Sequence, residues 1–221
     1  MDLLALLLLL AFLAWHARHL WAEGRARRAA RASALDLCRP LLSDRLQRIE
    51  PDGFPRLAGT YRGARFDLRL VPDTLTTRKL PALWLLVTRT EPQPLPATWH
   101  LMLRPRGTET FSGFDRLPRA LPADPALPLD SAVRTDGAGS PPRALADTVA
   151  ALGEDRLKEV VLSPKGLRLT WLLEEAPRGR YLLFRDAEMG RAPIQPDTLR
   201  PLLDALLTLR DRLAEPERRR A

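Results

Sequence analysis

Residues 3–15 of this chain, Leu-Leu-Ala-Leu-Leu-Leu-Leu-Leu-Ala-Phe-Leu-Ala-Trp, hold no charged side chain, and the basic residues follow directly behind them: Arg18, Arg25, Arg27, Arg28 and Arg31. An apolar block with an aromatic flank and a basic collar is the pattern of a membrane anchor. Thirteen residues make about 20 Å of helix, whereas a hydrocarbon core of about 30 Å asks for roughly 20 residues. Extension to Ala22 supplies the length and admits His16, Arg18 and His19. These three lie near one end, where long basic side chains reach the headgroups, and Trp15 and Trp21 suit the interfacial belt. A cleaved signal peptide is the rival reading. Asp2 with no Lys or Arg ahead of the apolar block, and the lack of a small-x-small site just after it, count against that rival. A third reading is a helix buried in a soluble domain.

Charge predicts the orientation. Basic residues beside a span stay in the cytoplasm, which places the short N-terminus outside and everything from about residue 24 in the cytoplasm. The single Cys38 permits no internal disulfide and so agrees with a reducing compartment. Arginines number 32 and lysines three, a bias expected of a GC-rich bacterial genome. The expected location is therefore a bacterial inner membrane. The net charge of +8 is concentrated: residues 16–31 carry +4, and the excess over residues 32–214 is another mild +4. Anionic headgroups attract such a juxtamembrane cluster at about 1 kcal/mol per basic residue. Anionic lipid is thus the expected contact of Arg18, Arg25, Arg27, Arg28 and Arg31, and nucleic acid is not expected as a partner.

The remaining chain predicts an α+β fold. Four segments are expected: an anchor (1–22), a basic juxtamembrane helix with a second, packed helix (23–53), a cytoplasmic α+β domain (54–214) and a charged tail (215–221). Leu35, Cys38, Leu42, Leu46 and Ile49 recur at steps of three and four, the helical period, with a kink expected at Pro40. From Leu57 the period becomes two. Phe66, Leu68 and Leu70 alternate with Arg65, Asp67 and Arg69, and Arg62-Gly63 suggests a hairpin turn ahead of them. Leu83–Thr88 and Trp99–Leu103 read as strands, joined across three prolines that cannot donate to a ladder. Residues 105–142 are rich in Pro and Gly, with one short strand expected in 129–135. A helix is predicted over 143–157. Strands follow at 159–162, 167–173 and 180–185, with Ser-Pro-Lys-Gly166 as a tight turn. A closing helix carries Leu199, Leu202, Leu203, Leu206, Leu209 and Leu213 on one stripe. Short connections between strands predict a mostly antiparallel sheet with helices on one face. The succession of helix and meander at 35–104 and again at 143–186 suggests a pseudo-duplicated fold, without a residue-level repeat to support it.

Chemistry is harder to find. His100 has no second His or Cys near it at ligand spacing. Gly59–Gly63 lacks the Lys-Ser/Thr of a phosphate loop, and Gly137-Ala-Gly139 lacks the third glycine of a dinucleotide site. No catalytic residue, cofactor or metal site is therefore assigned. One pattern stands out: Arg62, Arg65, Arg69, Arg78, Lys79 and Arg104 fall on the first meander. Aligned strands would gather them into a basic face able to receive an anionic ligand or an acidic partner. The alternative is a solvated face in an arginine-rich chain. Together these features favour a membrane-anchored binding or scaffolding module, engaging a partner protein or a second copy of itself. The competing reading is a membrane-tethered enzyme whose site is assembled from scattered residues such as Tyr61, Arg62, Asp130 and Asp136.

Overall fold

The computed structural model describes residues 3–74, 80–105, 109, 111–184, 187 and 189–218. The chain opens with one continuous helix, α1 (Leu3–Ala32), whose 30 residues span about 45 Å. A 3-10 turn (Asp36–Leu41) follows. Then come the strands β1 (Ser43–Ile49), β2 (Pro55–Tyr61), β3 (Ala64–Asp73), β4 (Ala82–Arg89) and β5 (Trp99–Leu103). The second half holds β6 (Arg119–Leu121), β7 (Ser131–Thr135), α2 (Ala144–Leu152), β8 (Leu157–Ser163), β9 (Gly166–Glu175), α3 (Arg178–Phe184) and α4 (Pro196–Arg218).

The nine strands among the described residues form a single antiparallel sheet in the order β1-β2-β3-β4-β9-β8-β5-β7-β6. The first four strands are a plain meander. The other five are not: β5 lies between β7 and β8, so the chain crosses over through α2 before β8 and β9 complete the sheet. The β2–β3 hairpin turns on two residues, Arg62 and Gly63, both with positive φ (+48° and +79°). That geometry matches the twist of the flanking strands, and glycine takes it without strain.

One face of the sheet is the helix face. Leu57, Phe66, Leu68, Leu70, Leu83, Leu85, Val87, Leu101, Val160, Leu162, Leu167 and Leu169 point into it. Leu145 and Val149 of α2 and Leu199, Leu202, Leu203, Leu206 and Leu209 of α4 close over them. The turn after α1 joins this core through Ala34, Leu35 and Cys38. Two bonds lock it there: the Ile194 N–H donates to the Ala34 carbonyl (2.8 Å), and the Cys38 thiol donates to the Ile194 carbonyl (3.2 Å). Gly190 lies directly against the Phe54 ring, where a Cβ would come within 2.5 Å of a ring carbon.

Two expected elements take a different form. Residues 43–49 are a strand, not the second half of a helix. The three-and-four spacing of Leu42, Leu46 and Ile49 is coincidental: β1 is an edge strand with an almost fully exposed surface, so it shows no alternation to betray it. Its Asp44, Arg45 and Arg48, and the irregular register after Ser43, suit an edge that must not recruit another strand. Likewise, residues 178–184 form α3 instead of a tenth strand. The helix predicted over 143–157 stops earlier, at Gly153 (φ +78°), and Leu157 already belongs to β8.

The packing makes α4 part of the core. Leu203→Ala should lower the unfolding free energy by about 2–5 kcal/mol, a large share of a domain stability of about 5–15 kcal/mol. Arg210→Ala should leave it unchanged, because Arg210 is exposed and its ion pair is with its exposed neighbour Asp211. Thermal melts followed by circular dichroism in detergent distinguish the two. Equal melting temperatures for Leu203→Ala and the native chain would remove α4 from the core.

Candidate functional site

The face opposite the helices is built differently, and it holds the polar chemistry. Register fixes its members: Arg56, Ala58 and Thr60 on β2; Arg65, Asp67, Arg69 and Asp73 on β3; Trp84 and Leu86 on β4; Arg168, Thr170 and Leu172 on β9; Glu159 on β8; His100 and Met102 on β5; Arg134 on β7. Over the middle of this face the segment 111–117 folds back. Phe111 packs on Trp84 at 5.1 Å between ring centroids, and Phe114 meets the edge of His100 at 5.3 Å. The Arg134 guanidinium lies over Phe114 and donates to the Leu117 carbonyl (2.7 Å), which holds the flap down.

Beneath it sits a buried polar network. Glu159 and His100 are fully buried and bonded to each other through Nε2 and Oε1. The same carboxylate accepts from Arg168 Nη2 (2.9 Å) and Thr170 Oγ1 (3.2 Å). Burial pushes the Glu159 carboxyl upward, but the His100 hydrogen bond and charge together with the Arg168 guanidinium outweigh it and hold the group below the usual carboxylate range. A second buried pair lies at the edge of the flap, where Lys158 Nζ meets Glu109 Oε1 (2.9 Å) and donates to the Arg104 carbonyl (2.7 Å). Next to it is a cleft of about 260 Å³ lined by Asp73, Trp84, Arg104, Glu109, Lys158 and Glu175.

His100 thus has partners, supplied by strands 59 to 70 residues further along the chain. Spacing within one strand could not reveal them. The available signal was a polar residue between apolar neighbours, as at His100 between Trp99 and Leu101 and at Thr170 between Leu169 and Trp171. Among the described residues no group of three or more His, Cys, Asp or Glu could hold a metal ion.

The anticipated basic face is assembled in part. Arg65 and Arg69 do share the face opposite the helices, and Arg56 of β2 and Arg48 of β1 join them. Acids are interleaved: Arg56 pairs with Asp67 (2.7 Å), and Glu50 takes both Arg48 (2.7 Å) and Arg69 (3.4 Å). A shallow groove between Asp44, Leu46, Arg56, Thr60 and Arg65 runs across these strands. Arg62 sits elsewhere, at the β2–β3 turn, where it and the Tyr61 hydroxyl both engage Asp204 of α4 (2.9 and 3.0 Å). Arg104 is at the end of β5, with a positive φ, and donates to the carbonyls of Glu154, Asp155 and Leu157. It serves the backbone of the α2–β8 connection. Arg78 and Lys79 lie outside the described residues.

The scattered polar residues are not brought together either. Tyr61 and Arg62 lie on the first meander, while Asp130 and Asp136 flank opposite ends of β7, six strands along the sheet from β2. Asp136 accepts the Thr98 N–H (2.7 Å), a loop-stapling role. Cys38 faces the core, and burial pushes its thiol up to about 11, which removes it as a nucleophile at neutral pH.

On α1, Arg18, Arg25 and Arg28 are exposed, and Arg25 stacks on Trp21 at 5.5 Å. Arg31 instead turns onto the Phe54 ring at 5.4 Å and docks the helix end on the domain. No family model, no curated protein and no solved structure matches this chain.

Because the folded state favours ionised Glu159, its contribution to stability is present above the ordinary carboxylate pKa and is lost as pH falls through the lowered one. Glu159→Gln should cost about 3–5 kcal/mol at neutral pH by leaving His100 and Arg168 without their carboxylate. It should also flatten the decline in stability on acidification. Urea titrations across the acid range test both. Parallel pH profiles for variant and native chain would exclude Glu159 as a titrating group.

Proposed function

We propose that this chain is a single-pass membrane protein, with residues 3–22 of α1 across the bilayer and the α+β domain on the cytoplasmic side as a binding or scaffolding module. One observation carries the reading. Every described residue from Leu3 to Glu23 is exposed, and none of the helix's leucines, Phe12, Trp15 or Trp21 finds a partner in the domain. Over residues 3–15 the helix is apolar on all sides, not along one stripe, which is the pattern of a helix surrounded by an apolar medium. It is also long and apolar enough to cross a membrane. This weighs against a core helix, the reading that would have buried it. The arginine collar from Arg18 to Arg31 supports the cytoplasmic orientation and an anionic leaflet beside it.

A binding role has more support than a catalytic one. The most concentrated polar chemistry, around Glu159, is buried, and its carboxylate is already engaged by His100, Arg168 and Thr170. The residues a scattered enzyme site would use lie apart. What the domain offers a partner is the groove over β1–β3, with exposed Leu46 and Arg65 at its sides.

The protein should sediment with membranes and resist a carbonate wash, and a chain lacking residues 2–22 should be soluble. Full-length protein with an intact N-terminus in the soluble fraction would overturn the anchor. A mature chain starting just after the apolar block would establish a cleaved signal instead. For orientation, alkaline phosphatase fused at the C-terminus should be inactive and a fluorescent protein there should glow. An active phosphatase would invert the topology.

A further inference from the structure

We infer that α3 is a second membrane contact: Leu182 and Leu183 enter the headgroup layer of an anionic bilayer, with Arg178 against lipid phosphates, so that the domain lies on the membrane surface. The inference rests on the anchor reading and goes beyond it.

Three observations lead to it. The first is distance. The apolar span ends at Ala22, and α1 is pinned to the domain at Arg31. Nine helical steps separate Ala22 from Arg31, about 13 Å along the axis. The headgroup layer itself occupies about 5–8 Å on each side of the hydrocarbon core. The end of the domain that holds Arg31 therefore cannot stand far from lipid. It is also rigidly attached there, through the Arg31–Phe54 contact and the Ile194 bonds to Ala34 and Cys38.

The second observation is that α3 is on this same end. The start of β2, the end of β3, the start of β4 and the end of β9 lie together, through Arg56↔Arg69, Asp73↔Ala82 and Ala82↔Glu175. Contacts then run without a gap from the anchor to α3. Arg31 lies over Phe54, Phe54 against Gly190, and the Gly190 N–H donates to Glu174 (2.9 Å). Glu174 is four residues ahead of α3, and the Ala176 N–H fixes the connection to the Pro81 carbonyl (2.8 Å).

The third observation is composition and exposure. Leu182 is 56% and Leu183 78% exposed, unusual for neighbouring leucines in a domain whose other helices bury theirs. The segment 177–185 reads Pro-Arg-Gly-Arg-Tyr-Leu-Leu-Phe-Arg, with three arginines and no acid. Apolar and aromatic residues beside arginines are what the boundary between headgroups and acyl chains accepts. Charge complementarity thus points to anionic lipid as the occupant of this surface.

The test is made on the full chain reconstituted in nanodiscs of phosphatidylglycerol and phosphatidylcholine. Spin labels are placed at Leu10→Cys, Leu183→Cys and Lys165→Cys, with Leu182→Cys as a second reporter on α3. Lys165 is exposed on the β8–β9 turn, at the opposite end of the sheet, and native Cys38 is buried. Collision with oxygen reports lipid, and collision with a water-soluble nickel chelate reports solvent. At Leu10 and at both α3 positions we expect loss of nickel accessibility with retained oxygen accessibility, and at Lys165 full nickel accessibility. A lipid-embedded Leu10 with the α3 labels as open to nickel as Lys165 overturns the inference and leaves the anchor standing. Labels on α3 shielded from both reagents indicate contact with protein, a second copy included, and overturn it as well. A Leu10 label open to nickel overturns the anchor and the inference together.

Discussion

The pairing of β4 with β9 is the constraint on which the rest of the domain depends. It joins the meander of residues 43–89 to the five strands formed by residues 99–175, with antiparallel partners from Ala82↔Glu175 to Arg89↔Leu167. These are the fourth and fifth strands of nine, covered on both faces. Strands buried on both sides lose the alternation of apolar and polar residues, and Leu83-Trp-Leu-Leu-Val87 shows that loss. Loop-closure entropy opposes a contact between positions so far apart in sequence. It is offset by packing, with Leu85, Val87 and Leu169 beneath α4 on one face and Trp84, Leu86 and Leu172 beneath Phe111 on the other.

The second face follows from burying a carboxylate near that seam. An ionised group taken out of water is costly unless its lone pairs are satisfied and its charge is paired. Glu159 meets this condition through His100, Arg168 and Thr170, which come from β5 and β9, the two strands flanking β8. The network can exist only when all three strands are in register. A one-residue slip would send each of these side chains to the helix face. The pair is weak evidence for net stability. As a device that selects one register for a sheet assembled from distant segments, it has a clear physical use.

Much of this architecture was legible in the residues. The strands from Phe66 to Leu70, Leu83 to Thr88 and Trp99 to Leu103, the tight turns at Gly63 and Gly166, and the leucine stripe of α4 each follow from a local period or turn chemistry. What was hidden was hidden for physical reasons. The exposed edge strand β1 has no buried face to impose alternation, so the helical spacing of Leu35, Cys38, Leu42, Leu46 and Ile49 misled. In α3 the run Tyr-Leu-Leu-Phe has high strand propensity, yet no open strand position lies beside β9, which already pairs with β4 and β8. The basic face was half legible: Arg65 and Arg69 share it as their spacing requires, but Arg62 and Arg104 were recruited by Asp204 and by backbone carbonyls far off in sequence. The grouping of the Glu159 network was not legible, because its members are brought together only by the pairings of β8 with β5 and β9.

The junction between helix and domain shapes what a module of this kind can do. A domain on a Gly/Ser tether samples a volume set by the linker's length. Here α1 continues as helix through Ala32 and is clasped at once by Phe54 and Ile194, with no flexible stretch between. Gly24 is the one glycine in the helix, and nothing surrounds it. It is the point where bending costs least, since glycine weakens a helix interior by about 1 kcal/mol relative to alanine. In the membrane reading, a tilt of the span is therefore transmitted to the sheet except for what Gly24 absorbs. The groove over β1–β3 is then held at a defined height above the lipid. A partner meets it from a restricted direction, which lowers the orientational cost of binding for one already at the membrane and raises it for one arriving from solution.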